Sequence, residues 1–165
     1  MIEIIEATSQ DLPVIQQIAD QTFYITYLPL QPKEKVDYLF DRMYSTSSLT
    51  KQMNDGQIFI LAKDETEYLG YASYEINYKN QSKTKIHKIY IMPNAQGKGV
   101  GKELVNYISG IAKQNKCEAM LLDVYRHNPA IQFYEKIGFK KVAEQITDVG
   151  NGFVMDDFVM EKNIN

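Results

Sequence analysis

Apolar residues recur along this chain with two different periods, and the switches between them outline its elements. The β-branched stretch at residues 2–7 predicts a first strand. Thr8 and Ser9 then offer side-chain oxygens to open a helix, and Asp11 falls near the positive end of its dipole. Leu12, Ile15, Ile18, Ala19 and Phe23 follow at helical spacing, with the helix expected to end near Tyr24. Pro29 and Pro32 break the chain, after which Val36, Leu39, Phe40 and Met43 mark a second helical face over residues 33–45. Residues 45–48, STSS, read as a loop or as a new helix start. From residue 57 the period becomes two: QIFILAK, a polar DETE turn and YLGYASYEINY predict an antiparallel hairpin. KTKIHKIYIMP adds a strand closed by Pro93. Helical spacing returns at Val100, Leu104, Val105, Ile108, Ile111 and Ala112, to about Asn115. EAMLLDVY is a continuous apolar strand of the kind covered on both faces. A short helix in NPAIQFYEKIGF, stopped by Gly138, precedes two last strands in FKKVAEQI and GFVMDDFVMEK.

This order describes one α/β layer structure without repeat or linker, a single domain over residues 1–165. At 44% hydrophobic residues, its length suffices for one core. No stretch approaches the roughly 18 apolar residues of a membrane span, and the acidic start is unlike a signal peptide, so a cytoplasmic protein without a membrane partner is expected. One cysteine, Cys117, makes no internal disulfide, and two histidines supply no metal cluster. A formal charge of −3 argues against nucleic acid and suits a cationic substrate.

The distinctive stretch is NAQGKGVGK at residues 94–102, between a strand and a helix. A glycine-rich turn at a helix start gathers free backbone N–H groups and the helix dipole on one spot, where an anion binds. Spacing excludes two common forms. A dinucleotide fingerprint from Gly97 and Gly99 needs glycine where Lys102 stands, and a Walker loop ending at Gly101-Lys102 needs glycine at Gln96 and a hydroxyl at Glu103.

Gln96-Gly97-Lys98-Gly99-Val100-Gly101 matches the pattern Q/R-x-x-G-x-G/A. With the strand before it, the helix after it, MLLDVY and AIQFYEKIGF in order, residues 57–161 resemble the GNAT superfamily of acyl-CoA N-acyltransferases. That resemblance implies a mixed, mostly antiparallel sheet of about seven strands flanked by four helices. It also implies an acetyl-CoA-dependent N-acetyltransferase with no metal, whose glycine turn wraps the pyrophosphate of coenzyme A. Gly97, Gly99, Val100 and Gly101 would then bring main chain close to phosphate oxygens, Gln96 would donate its amide, and Lys98 and Lys102 would add charge. The resemblance further places the pantetheine arm between the strands at 86–91 and 119–125, on main-chain groups of Ile89, Tyr90 and Ile91.

Tyr134 resembles the tyrosine that assists the departing thiolate, although its helical spacing with Ala130, Phe133 and Ile137 also suits a core ring. The family's cofactor-contacting asparagine falls at His127 by register and at Asn128 by residue type; Asn128 equally suits a helix N-cap before Pro129. An alkylamine acceptor with pKa near 10.4 must lose a proton, at a cost of roughly 4.6 kcal/mol at neutral pH. Glu75 and His87, on strands flanking the cleft, are the candidate bases, and each also suits an ordinary strand position.

Tyr24, Tyr27, Tyr38 and Tyr44 lie where such enzymes place their acceptor helices and supply ring faces for a cationic amine. The pattern TFxxTY, with MDDFVMEK near the end, resembles the spermidine/spermine branch, so a small-molecule polyamine is the expected acceptor and Asp156 and Asp157 are candidate ammonium partners. A homodimer is compatible with the resemblance. Two other readings stand beside this one: a protein N-terminal or lysine acetyltransferase, and a CoA-binding sensor without turnover.

Overall fold

The structure, a computed structural model, describes residues 1–165. Thr8 opens its helical part: the Thr8 side chain accepts from Gln10 N–H, and the Asp11 carboxylate accepts from Thr8 N–H, a reciprocal cap on a single 3₁₀ turn. Helix α1 (Leu12–Tyr27) continues from it with Pro13 in its first turn and stops before Pro29. It runs three residues past the expected end, and so carries Tyr27. Helix α2 (Lys33–Tyr44) follows Pro32. The open reading of STSS resolves as a helix start, because the Ser45 hydroxyl accepts from Ser48 N–H at 3.2 Å and caps α3 (Thr46–Asn54). The helices therefore number five rather than four, with α4 (Val100–Gln114) and α5 (Ala130–Lys136) completing the set. No helix is long and apolar enough to cross a membrane.

Seven strands form one sheet: β1 (Glu3–Glu6), β2 (Ile58–Asp64), β3 (Glu67–Glu75), β4 (Lys83–Ile91), β5 (Ala119–Tyr125), β6 (Lys140–Gly150) and β7 (Phe153–Asn163), in the order β1-β2-β3-β4-β5-β7-β6. Every neighbouring pair is antiparallel except β4 and β5. The continuous apolar run of β2 reflects cover on both faces. Phe59 and Leu61 pack with α1, α2 and α3, while Ile60 and Ala62 pack with α4 and α5. Alternation thus supplies two cores from one strand.

Gly70 is the tightest point between β3 and β4. A Cβ there would lie 2.5 Å from the Tyr90 carbonyl oxygen, so this strand position admits only glycine. Replacement Gly70→Ala is expected to cost about 1–3 kcal/mol of stability. Gly110 lies within α4, and a Cβ added there would meet nothing within 4 Å; it should behave oppositely, Gly110→Ala adding about 0.5–1 kcal/mol. Denaturant melts of both variants check the pair of signs.

Candidate active site

Strands β4 and β5 pair for four residues only, from Lys83 opposite Ala119 to Ile86 opposite Leu122. Beyond that point β4 keeps its pairing with β3 and β5 keeps its pairing with β7, so the two separate into a wedge. Main-chain direction in the wedge follows from the ladder on the other side of β4. Met92 N–H donates to Leu69 O at 2.8 Å, which with the register turns the N–H and C=O of Tyr90 toward β3 and those of Ile89 and Ile91 toward the gap. Of the three residues expected to present main chain there, Tyr90 is therefore the exception; its side chain lines the gap instead. A cleft of about 820 Å³ follows the wedge, running between the end of α1, the glycine turn and α5.

Gly97, Gly99, Val100, Gly101 and Lys102 line this cleft together with Gln96. Gly97 and Gly99 have φ of +78° and +80°, which disfavour a side chain, and a Cβ at either would meet nothing within 4 Å. Gly99 is the N-cap of α4 and no side chain caps that helix start, so the first N–H groups of a 15-residue helix face the cleft without partners from a cap. Gly101 has a different reason to be glycine: a Cβ would sit 3.1 Å from Phe133 Cζ, so it lets α4 pack on α5. Gln96 donates one N–H of its side-chain amide to the Ile91 carbonyl at 3.3 Å, which ties the turn to the end of β4. Lys102 lines the cleft; Lys98 is exposed and does not.

Tyr134 reaches the cleft from α5, 6% exposed. Burial, with the Tyr27 phenol nearby, pushes its hydroxyl well above the ordinary tyrosine pKa, so the group stays protonated. Of the two candidates His127 and Asn128, only Asn128 lines the cleft. It is 9% exposed and lines the cleft, whereas His127 lies outside the cleft beside the Tyr125 ring. Asn128 also caps the next helix, its Oδ1 accepting from Ala130 N–H at 2.9 Å, so both proposed uses of its side chain are available at one position.

A second cavity of about 310 Å³ adjoins the first, and Tyr27, Ile86, His87, Tyr90 and Asp123 line both. Of the four tyrosines expected from the first helices, only Tyr27 is among them. Tyr24 donates to Asp37 at 2.6 Å, and burial and that carboxylate push its pKa up to about 12. Tyr38 donates to Val149 O, and Tyr44, 2% exposed, pairs its hydroxyl with that of Tyr71. None of these three lines either cavity. The Tyr27 and Tyr90 hydroxyls share a hydrogen bond at 3.3 Å.

His87 and Glu75 touch, with His87 Nε2 3.0 Å from Glu75 Oε1, but only His87 lines the cavities. Burial, with Lys85 and Lys88 alongside, holds the His87 pKa down at about 3, so the contact is a hydrogen bond from a neutral ring. Lys88, 5% exposed, is itself driven down to about 7 by burial and donates to Gln52 and Gln57. The two carboxylates of the expected acidic pair separate. Asp156 pairs with Arg126 at 3.0 Å, while Asp157 lines the second cavity with Asp123, whose partner is Lys85 at 2.9 Å. Phe23, Leu39 and Met43 from the helices, and Gln145, Thr147 and Met155 from the last hairpin, also line that cavity. Sequence reasoning missed these six because they belong to ordinary apolar or strand patterns; only the pairing of β5 with β7 brings the hairpin to the wedge.

Comparison with known proteins agrees with this geometry. The sequence profile of the acetyltransferase (GNAT) family matches residues 14–139. The spermidine N(1)-acetyltransferase of Thermoplasma acidophilum is 25% identical over 167 residues, covering 98% of this chain and 96% of that one. An uncharacterized N-acetyltransferase from the pepI 3′ region of Lactobacillus delbrueckii subsp. lactis is 22% identical, with coverage of 98% and 96%. Among solved structures, the PaiA N-acetyltransferase of T. acidophilum in complex with coenzyme A superposes with a TM-score of 0.81 at 24% identity, covering 99% of both chains. The family profile spans well over half of the chain, from within α1 to the start of β6, and takes in the wedge and the glycine turn; this protein belongs to the acetyltransferase (GNAT) family and is an acetyl-CoA-dependent N-acetyltransferase.

Proposed function

We propose that the enzyme acetylates a primary amine of a small cationic molecule, with polyamines as the acceptor class. The observation that carries this reading is the junction of the two cavities at Tyr27, Ile86, His87, Tyr90 and Asp123, where a long donor cleft meets a smaller aromatic and acidic chamber. A chamber of about 310 Å³ walled by side chains from α1, α2 and the β6–β7 hairpin suits a small molecule better than a protein segment. Its phenyl and phenol faces and its carboxylates suit an ammonium. The T. acidophilum relative, a spermidine N(1)-acetyltransferase, supports the same class.

The residues of the donor cleft fit coenzyme A. The uncapped start of α4 and the open space over Gly97 and Gly99 form a cradle of main-chain donors for a diphosphate, with Lys102 adding charge. Main-chain groups of Ile89 and Ile91, turned into the wedge, suit the amides of the pantetheine arm, and Asn128 offers a side-chain amide beside it. Bound acetyl-CoA supplies an acyl group already activated as a thioester. An N–H on the open edge of β4 stabilises charge growing on the acyl oxygen.

Tyr134 acts as a hydrogen-bond donor to the departing sulfur rather than as an acid that surrenders its proton. Its pKa is raised, whereas a thiol titrates near 8.5, so full transfer runs uphill. His87 is neutral at physiological pH and accepts a hydrogen bond at the junction, its ring held by Glu75. It does not strip an alkylammonium, because the two pKa values lie about 7 units apart, roughly 10 kcal/mol. The acceptor enters by way of its small neutral fraction.

Two variants separate binding from turnover. Gly99→Glu places a carboxylate and a strained φ at the diphosphate cradle and should weaken coenzyme A by about 100-fold or more in calorimetry. Tyr134→Phe should lower kcat by roughly 10- to 100-fold while leaving coenzyme A affinity within about threefold. Equal loss of affinity in both variants defeats the assignment.

A further inference from the structure

Asp157 is 5% exposed, lies in the acceptor chamber, and has no hydrogen-bond or ion-pair partner in the protein. It is unusual among the charged groups around it. Asp123 is held by Lys85, Asp156 by Arg126, and Glu75 by His87. A buried carboxylate left without a donor is costly unless a ligand supplies one. Its place in the sheet is informative as well. Asp157 stands opposite Tyr125 on β5, and β5 itself has left β4, so the carboxylate lies two strand spacings from the open edge of β4, on the order of 10 Å. A nitrogen attacking an acyl group held on β4 lies across β5 from Asp157, which leaves the carboxylate for a different group of the acceptor.

We propose that Asp157 binds a second, non-reacting ammonium of the acceptor and so makes the enzyme selective for diamines and longer polyamines over monoamines. This rests on the amine-acceptor reading above and adds to it a two-point recognition. One amine lies at the junction by Tyr90 and His87, and the other cation lies at Asp157, with Phe23, Tyr27 and Met155 along the chamber between the two ends. The tail of the cation completes the one ionic contact the chamber lacks.

The same residue gives the selectivity a pH limit. Burial, with Asp123 and Asp156 nearby and Lys85 and Lys35 opposing them, raises the Asp157 pKa to about 6. Of the groups lining the chamber beside it, His87 stays neutral down to about 3, the Lys85 ammonium is held charged by Asp123, and the Tyr27 and Tyr90 phenols are raised above the ordinary value. Asp157 is therefore anionic above about pH 6 and loses its hold on an ammonium as the pH falls below that value.

The test compares kcat/KM for 1,4-diaminobutane and for n-pentylamine, a monoamine of similar length, by release of coenzyme A thiol. The wild-type enzyme should prefer the diamine by about 10- to 100-fold, the worth of one charge-assisted hydrogen bond. Asp157→Asn, nearly isosteric, should bring that ratio close to one, and Asp157→Glu should restore part of it. The wild-type ratio should also fall below pH 6 while that of Asp157→Asn stays flat. A ratio unchanged in Asp157→Asn overturns the role of Asp157 while leaving amine acetylation intact, and an equal loss on both amines makes the residue a base or a structural group instead. If neither amine is acetylated by an enzyme that binds coenzyme A, both the acceptor reading and this inference fail.

Discussion

The separation of β4 from β5 after four paired residues is the constraint from which the rest of the site follows. A buried main-chain group left unpaired costs about 1–3 kcal/mol, and an ordinary sheet would close this gap. Here β4 is held by β3, with Gly70 allowing the two strands to approach closely, and β5 is held by β7. The gap persists because each of its edges is anchored from behind. The uncapped start of α4 repeats the arrangement at the other end of the cleft, where N–H groups are again left without a protein acceptor. Unsatisfied main chain at two places along one cleft is the mark of a surface built for an extended polar ligand.

Beside the wedge the polar interior is organised through phenols. Tyr27 and Tyr90 share a hydrogen bond at the junction, and Tyr44 and Tyr71 share another deeper in the same core. The rings of Tyr71 and Tyr90 stack at 5.8 Å and join the two pairs. Burial raises the pKa of all four, so the cluster remains neutral and protonated across the physiological range. This allows a cationic acceptor to meet neutral aromatic surface, and the Lys85 ammonium beside it is paired with Asp123.

Much of this was legible in the sequence where a local signal exists. Periodicity separates the helices from the strands, and the run at residues 96–101 marks the donor turn because its glycines sit between a strand and a helix. Local signals also misled in instructive ways. Tyr24, Tyr38 and Tyr44 share the composition of a binding surface with Tyr27, yet hydrogen bonds to Asp37, Val149 and Tyr71 commit them elsewhere. Gly101 fits the phosphate motif, and a Cβ there would also crowd Phe133 at 3.1 Å, a contact between helices that no spacing rule reveals. Asp156 and Asp157 are adjacent in sequence and face opposite sides of β7, so one is paired with Arg126 and the other lines the chamber. What the chain could not display in one dimension is the order of the strands, since β7 inserts between β5 and β6 and carries the last hairpin to the acceptor side.

The shortness of the β4–β5 ladder has a mechanical consequence. The sheet consists of a four-strand half and a three-strand half joined by only four paired residues at one end, with the free ends of the wedge leading to the ligand. The two halves share one core beneath the sheet, so the wedge is a fixed opening between ladders that are each complete on their own side. Admitting a bulky nucleotide-bearing thioester thus requires no strand to be unzipped.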